Sequence, residues 1–511
     1  MPNKLDETAV LNFYLSEMEK DNIQFLKNRK KYQDEIKDAI VKLRDAKSMN
    51  ERVNVAKSLW KVLFEASMTY IDPDKRGYDR LFRFFDEYVD FEELIFASDS
   101  FYRDHTLHCL WVYFLGEYIY RNEEFYDVIK DMDKFKIQYS NLYKMIGELD
   151  MNDIFEPILY AFEAVLKVAK YSDSVRCVSA ITHDLGYPLK KVEKINKCIK
   201  GILPYYSINN YDEFNFSYSN LEHNFITSFI EFISSTITAA SADGKEYDDI
   251  LRRVIIADKN DGMLGIKKEE VLELTQEELS LVKQALEMHI KLQKNKASNW
   301  SYSKDFEEYK HGIMSAFLLI KNVSSFNVIK YTYVKDDNIS FDEMNYADAL
   351  TKQLILKAVS DHTSGSFQID RISGHSEFLT FIDELEEFSR ISRANQNREY
   401  VTEFCTTDIY MDEAWFSIDF TFDNSQIDNL DPERAFKGRC ERFLSLFNIP
   451  NLAENMKIRL RCIGKLPYNQ NIYTLELSRK YAKIMINGEE KDIATYLKSK
   501  QFYNREEYAA L

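Results

Sequence analysis

Residues 179–189, SAITHDLGYPL, decide how this chain is read: an apolar helical run ends on the doublet His183-Asp184 and leaves through Gly186 and Pro188. Neighbours on a helix point about 100° apart, so both side chains reach one point only if the helix axis runs close beside it. Gly186 permits such an approach or a sharp exit, and Pro188 ends the helix. A lone doublet is a common accident, but other segments give it company. In FYRDHTLHCLWVYFLGEYIY (101–120), His108 shares a stripe with Val112, Leu115 and Ile119, at offsets of four, seven and eleven. In LTKQLILKAVSDHTSG (350–365), His362 follows Ile355 and Val359 on a similar stripe, and in HSEFLTFIDELEEFSR (375–390), Asp383 sits four residues after Leu379. Such positions face a core, where a bare carboxylate is costly. Groups of this kind on separate helices answer one another by converging, and a metal ion is the simplest partner for imidazoles and carboxylates together.

The totals set the class. A chain of 511 residues has length for about three domains and for a sizeable core. With 45% hydrophobic and 30% charged residues, no segment approaches the run of about 20 apolar residues that a membrane span needs. The opening MPNKLDETAVLNFYLSEMEKDN lacks the basic-then-apolar layout of a signal peptide. A cytoplasmic protein without membrane partners is expected. Its six widely spread cysteines form no Cys-x-x-Cys pair, so reduced thiols are expected too. A formal charge of −17 argues against a protein that coats nucleic acid, and a small pocket fits an anionic substrate better than a long groove.

Along the chain, residues 1–95 read as an N-terminal helical arm, with apolar residues three and four apart in NFYLSEMEKDNIQFLKNRKKYQDEIKDAIVKLRDA. Residues 96–395 form the core unit. No proline lies between Tyr205 and Asp431, which predicts a mostly helical centre. About 120 residues separate HDLGYPL from KHGIMSAFLLIK, giving an insertion over about 190–305 that would serve as a lid or a regulatory subdomain. In residues 396–511 the period changes to two in WFSIDFTF, MKIRLRC and IYTLELSR, with a helix in DPERAFKGRCERFLSLF opened by Asp431 and Pro432. The expected fold is mainly α: a helical core with a large helical insertion and a small C-terminal α+β module.

The order His, His-Asp, further His and late Asp resembles the HD-domain metal-dependent phosphohydrolases. HDLGYPL resembles their doublet and its small-residue turn, KHGIMSAFLLIK their His-Gly helix start, and FLTFIDELEEFSR their late Asp helix. The resemblance covers about 290 residues, Phe101 to Arg393. It implies a helical HD core and a metal held by His108, His183, Asp184 and Asp383. His108 is preferred to His105 because only His108 has an apolar residue four places on and a continuing stripe; His105 then faces the substrate or caps the helix. Two imidazoles and two carboxylates with an open position suit Mn²⁺, Mg²⁺, Fe²⁺ or Co²⁺ better than structural zinc.

The resemblance also makes His311 a general acid or a ligand of a second metal, with His223 as its competitor. His362 becomes a second-metal ligand, a substrate contact or a core histidine bonded to backbone. Arg103 resembles a phosphate-binding arginine of nucleotide-cleaving relatives, although its spacing differs from theirs. Lys190 and Lys191 either meet phosphate or form a solvated face. The chain's length, Arg103 and the 72 residues from His311 to Asp383 look most like the deoxynucleoside triphosphate triphosphohydrolases, which release nucleoside and triphosphate. The expected partners are then a nucleotide substrate, a nucleotide effector and further copies of the chain, and the expected setting is nucleotide depletion or antiviral defence. Cleavage of cyclic or linear oligonucleotides and a non-catalytic nucleotide-sensing module are the alternatives. His289 reads as structural. DKNDGMLGIKKEE fails as a calcium loop because Gly262 falls at the fifth position from Asp258. Phosphate loops of the P-loop and Rossmann kinds are missing from the sequence.

Overall fold

The helices start where the local sequence supplies caps. Asp6 accepts from Ala9 N to open α1 (Glu7–Glu19), and after α2 (Lys30–Asp45) Ser48 accepts from Glu51 N to open α3 (Met49–Ile71). Beyond α4 (Asp79–Phe96), Asp104 caps α5 (His105–Arg121) through Leu107 N. The computed structural model describes residues 5–74, 77–96, 104–133, 166–208, 210–214, 217–238, 291–293, 296–328, 331–334, 338–341, 346–386, 388, 405–423, 432–465 and 471–497. Arg103, His289 and the Asp258 segment lie outside the described residues.

The central helices are α6 (Ser172–Thr182), α7 (Tyr187–Ile202), α8 (Asn220–Ser234), α9 (Lys296–Glu307), α10 (His311–Asn322), α11 (Tyr346–Asp361) and α12 (His375–Leu385). Two short antiparallel pairs interrupt this helical centre: β1 (Thr236–Thr238) with β2 (Lys291–Gln293), and β3 (Tyr331–Val334) with β4 (Asn338–Phe341). A proline-free stretch permits helix without requiring it, which is why the hairpins were not foreseen.

The segment expected to be an arm shares the core of the central helices. Trp60 on α3 stacks on Phe85 of α4 at 4.0 Å and donates its Nε1–H to the Ile181 carbonyl at 2.5 Å. A buried ionic network ties the same region together. Arg176 on α6 meets Glu117 of α5 and Asp173, each at 2.7 Å, while Arg121 reaches Glu117 at 2.7 Å and Asp173 at 2.8 Å. Asp173 also accepts from Gln24 N, and Arg121 donates to the Asn22 carbonyl, so the connection after α1 is pinned to the same charges. Burial would raise the Asp173 carboxyl, but Arg176 and Arg121 hold it down at about 2.

The C-terminal module is α+β. Its sheet runs in the order β10-β9-β8-β7-β6-β5 and is antiparallel except between β6 (Trp415–Phe422) and β7 (Ile458–Gly464). Those two are joined by α13 (Pro432–Leu446), as a parallel pair requires a crossover. The other strands are β5 (Cys405–Asp412), β8 (Ile472–Ser478), β9 (Tyr481–Ile486) and β10 (Glu489–Lys491). In β7, buried Ile458, Leu460 and Cys462 alternate with half-buried Arg459 and Arg461, which is the period of two read from the sequence. Phe416 of β6 packs on Phe125 and on Phe381 of α12 at 5.4 and 5.2 Å, joining the module to the helical core. Among the described residues, no helix is long and apolar enough to cross a membrane.

Removing one partner of a buried charge network leaves the rest uncompensated. Arg176→Met is therefore expected to cost about 3–5 kcal/mol, read as a lowered urea midpoint. A midpoint unchanged from wild type would mean that the network is solvated and structurally idle.

Candidate metal centre

Five helices deliver the site, and close crossings decide where each side chain ends. His108 lies one turn into α5. His183 and Asp184 occupy the turn between α6 and α7, so the doublet is not inside a helix, and Pro188 stands in the first turn of α7 rather than closing the helix before it. Gly186 packs directly on α10: a methyl group there would come within 2.5 Å of Met314 Cβ and 2.7 Å of Ser315 N. Ser315 Oγ accepts from Gly186 N at 2.7 Å and donates to the His183 carbonyl at 2.6 Å, locking the turn. Gly312 does the same between α10 and α11, where a methyl group would lie 2.6 Å from the Val359 carbonyl and 2.9 Å from His362 Cε1.

Four potential ligand atoms converge. His108 Nε2 lies 3.2 Å from His183 Nε2, 2.9 Å from Asp383 Oδ1 and 3.6 Å from Asp184 Oδ2. His183 Nε2 lies 3.5 Å from Asp184 Oδ2 and 3.8 Å from Asp383 Oδ1. Nitrogen and oxygen ligands about 2.1 Å from a shared ion, at right or tetrahedral angles, sit roughly 3.0–3.4 Å apart.

The protons make the case stronger than the distances. His108 Nδ1 faces Glu386 Oε2 at 2.6 Å, and His183 Nδ1 faces the Ala180 carbonyl at 2.7 Å. Both oxygens can accept a hydrogen from Nδ1, and a neutral ring protonated there turns a lone pair at Nε2 toward its neighbour. Burial pushes His183 down to about 3, so its ring is neutral at ordinary pH. Burial would raise Asp184, yet His183, His311 and His362 beside it hold its carboxyl well below the usual range. Two lone pairs and two carboxylates meeting in a buried pocket repel one another unless a cation stands among them. The cluster can thus hold a divalent metal ion.

Asp184 faces two ways. Its Oδ1 lies 3.2 Å from His311 Nε2 and 3.6 Å from His362 Nε2, a second group of ligand type. His362 Nδ1 bonds the Val359 carbonyl at 2.6 Å, which turns its Nε2 inward, and that buried nitrogen has no hydrogen-bond partner among the described residues. Burial pushes His311 down to about 4, and Lys190 adds to the effect. Lys190 is exposed yet close enough to act on His311, while Lys191 places its Nζ 4.6 Å over the Tyr187 ring.

The other expected residues fall differently. His105 is buried, with Nδ1 2.6 Å from Glu92 Oε1 and its ring 3.9 Å from Tyr187; the capping role belongs to Asp104. His223 is exposed on α8 and takes no part in the cluster, because its helix buries Phe229 and Ile230 and turns His223 outward. Sequence reasoning missed Glu386, Glu92, Tyr187 and Ser315. Glu386 had a signal: it follows Asp383 by three residues, one turn along the same helical face. Comparison of the chain with protein-family models, curated proteins and solved structures returns no match.

Asp184→Ala and His183→Ala should each abolish bound metal without loss of helical content, measured by elemental analysis and circular dichroism; wild-type metal content in both would remove the site. Glu386→Gln should weaken metal binding by about 10–100-fold, as loss of a carboxylate behind a ligating histidine does. Stability without metal should also depend on pH. His183 and His311 titrate near 6.5 when unfolded but near 3 and 4 when folded, so the unfolded chain binds more protons across that window. The melting temperature of the metal-free protein therefore falls as pH drops below about 6.5. A flat or rising profile would mean that these rings are solvated.

Proposed function

We propose that this chain is a metal-dependent phosphohydrolase of the HD type, cleaving a phosphoester or phosphoanhydride bond of a nucleotide. The observation that carries the reading is the grouping of His108, His183 and Asp184, with Asp383 Oδ1 2.9 Å from His108 Nε2 and His311 at the edge. A divalent cation held there would supply the charge that polarises a phosphoryl oxygen and acidifies a water.

His311 is the residue for proton transfer. It is 16% exposed, at the mouth of an otherwise closed cluster, with Nε2 against Asp184. An anionic phosphate beside it favours the protonated ring, the form that donates to a leaving oxygen. Lys190 and Lys191 bring positive charge to the same side for the phosphate. The Tyr187 ring, 3.9 Å from His105 and 5.2 Å from His311, offers a flat, half-buried face for a base or sugar. Glu92 and Glu386 fix the tautomers and orientations of His105 and His108.

Deoxynucleoside triphosphates are the first substrate class to test, because the sequence resembles enzymes that release nucleoside and triphosphate from them. Phosphodiester bonds of oligonucleotides are the second reading, favoured by the lysine-rich α7 that leaves the site. Incubation with each nucleotide and Mn²⁺ or Mg²⁺, followed by chromatography, separates the two by product: free triphosphate for the first, shortened or linearised oligonucleotide for the second. Failure of every phosphate substrate under both metals would overturn the proposal. His311→Ala should lower turnover by about 10²–10⁴-fold while metal at the first site is retained. Loss of that metal in the variant would make His311 a ligand instead.

A further inference from the structure

We propose that α7 and the loop folded back on it form a track for single-stranded nucleic acid that leads into the metal centre. α7 carries Lys190, Lys191, Lys194, Lys197 and Lys200 against one acid, Glu193, in a chain whose net charge is −17. Lys190 and Lys197 lie about 20° apart around the helix axis, and Lys200 follows about 60° further on. All three are exposed. The row begins at the centre, where Lys190 acts on His311 and Lys191 sits over Tyr187.

Its far end is aromatic. Tyr205 and Tyr206, in the turn that continues α7, are 90% and 73% exposed, and Phe214 is 63% exposed. Large rings at such exposure are costly unless they meet something. These are held in place: Ser207 takes a left-handed φ of 61° that reverses the chain. Asn196 of α7 then clamps Phe214 from both sides, donating to its carbonyl at 3.0 Å and accepting from its N–H at 2.9 Å. The Tyr211 hydroxyl donates to the Asn196 carbonyl at 3.2 Å. Phe214 is thereby fixed alongside the lysine row.

Ammonium groups along a helix and exposed rings beside them are what a flexible polyanion with flat bases requires: phosphates take the charge, and bases stack without sequence preference. A helix of 16 residues spans about 24 Å, the length of a short single-strand site. Ser207, Asn210, Asp212 and Glu213 alternate with the rings, which suits stacking better than insertion into lipid. Glu213 pairs with Lys200 at 3.4 Å between two exposed side chains, a contact that a phosphate can displace. The acidic remainder of the protein does not prevent this, because exposed charges more than about 10 Å apart are screened at 0.1 M salt.

Only the direction of the track rests on the phosphohydrolase reading; binding does not. The test uses the full chain stripped of metal, so that nothing is cleaved. Fluorescence anisotropy is measured with labelled thymidine and uridine strands of about 12 nucleotides, with a duplex of equal length, and alongside sedimentation with phosphatidylserine vesicles. The strands should bind at least about tenfold more tightly than the duplex, with log K falling against log salt at a slope of about −2, as for three phosphates. The thymidine and uridine arms tell DNA from RNA. Lys197→Glu with Lys200→Glu, and separately Tyr205→Ala with Tyr206→Ala, should each weaken binding by about tenfold or more. Their metal content and melting temperature should match the wild type. No strand binding, equal binding by the variants, or binding to vesicles alone would overturn the proposal. Strand binding without cleavage once Mn²⁺ is restored would instead remove the oligonucleotide-cleaving reading and leave the track standing.

Discussion

Two imidazole Nε2 atoms face each other at 3.2 Å beside carboxylate oxygens of Asp383 and Asp184, and the rest of the structure is arranged to hold them there. The arrangement is unfavourable by itself, since buried lone pairs and negative charge lose their hydration and gain nothing in return. It is stable only if other contacts outweigh it or a cation resolves it. Glu386 and the Ala180 carbonyl are decisive because they take the Nδ1 protons, leaving Nε2 of each ring as the ligand atom. Asp184 extends the same logic: its second oxygen faces His311 and His362, so one carboxylate joins both halves of the centre.

The surroundings supply the rigidity. Gly186 and Gly312 let α7 and α11 press against α10 where any side chain would collide, and Ser315 bonds both sides of the His183–Gly186 turn. Trp60 ties the end of α6 to α3 through the Ile181 carbonyl, two residues before His183. The Glu117–Arg176–Asp173–Arg121 network ties α5 to α6. Helices that would otherwise slide by fractions of an ångström are held in register by charge on one side of the centre and by close backbone contact on the other.

Much of this was legible in the residues. His108, His183, Asp184 and Asp383 stood out because a polar group on an apolar helical stripe must find a partner; the structure groups the first three and sets Asp383 against both histidines. Three strands of the C-terminal sheet showed their period of two. The remainder was hidden for physical reasons. Glu386 sits in an acidic run, DELEEF, that resembles a solvated face until the helix end turns it under His108. His223 competed with His311 because spacing alone does not reveal which face of a helix is buried. Strands β5 and β10 mix polar and apolar residues at the two sheet edges, where burial imposes little pattern.

The proposed track sets a local arrangement of lysines against a global total. The net charge argued against nucleic acid as a partner, yet charge acts over short distances in salt, and α7 concentrates lysines beside the centre. The central claim remains the cation cage. Its most direct test is pulsed electron paramagnetic resonance on the protein loaded with Mn²⁺, which detects nitrogen nuclei bonded to the ion. The account predicts nitrogen modulation from directly coordinated imidazole, whereas a spectrum showing only water protons around the ion would contradict it.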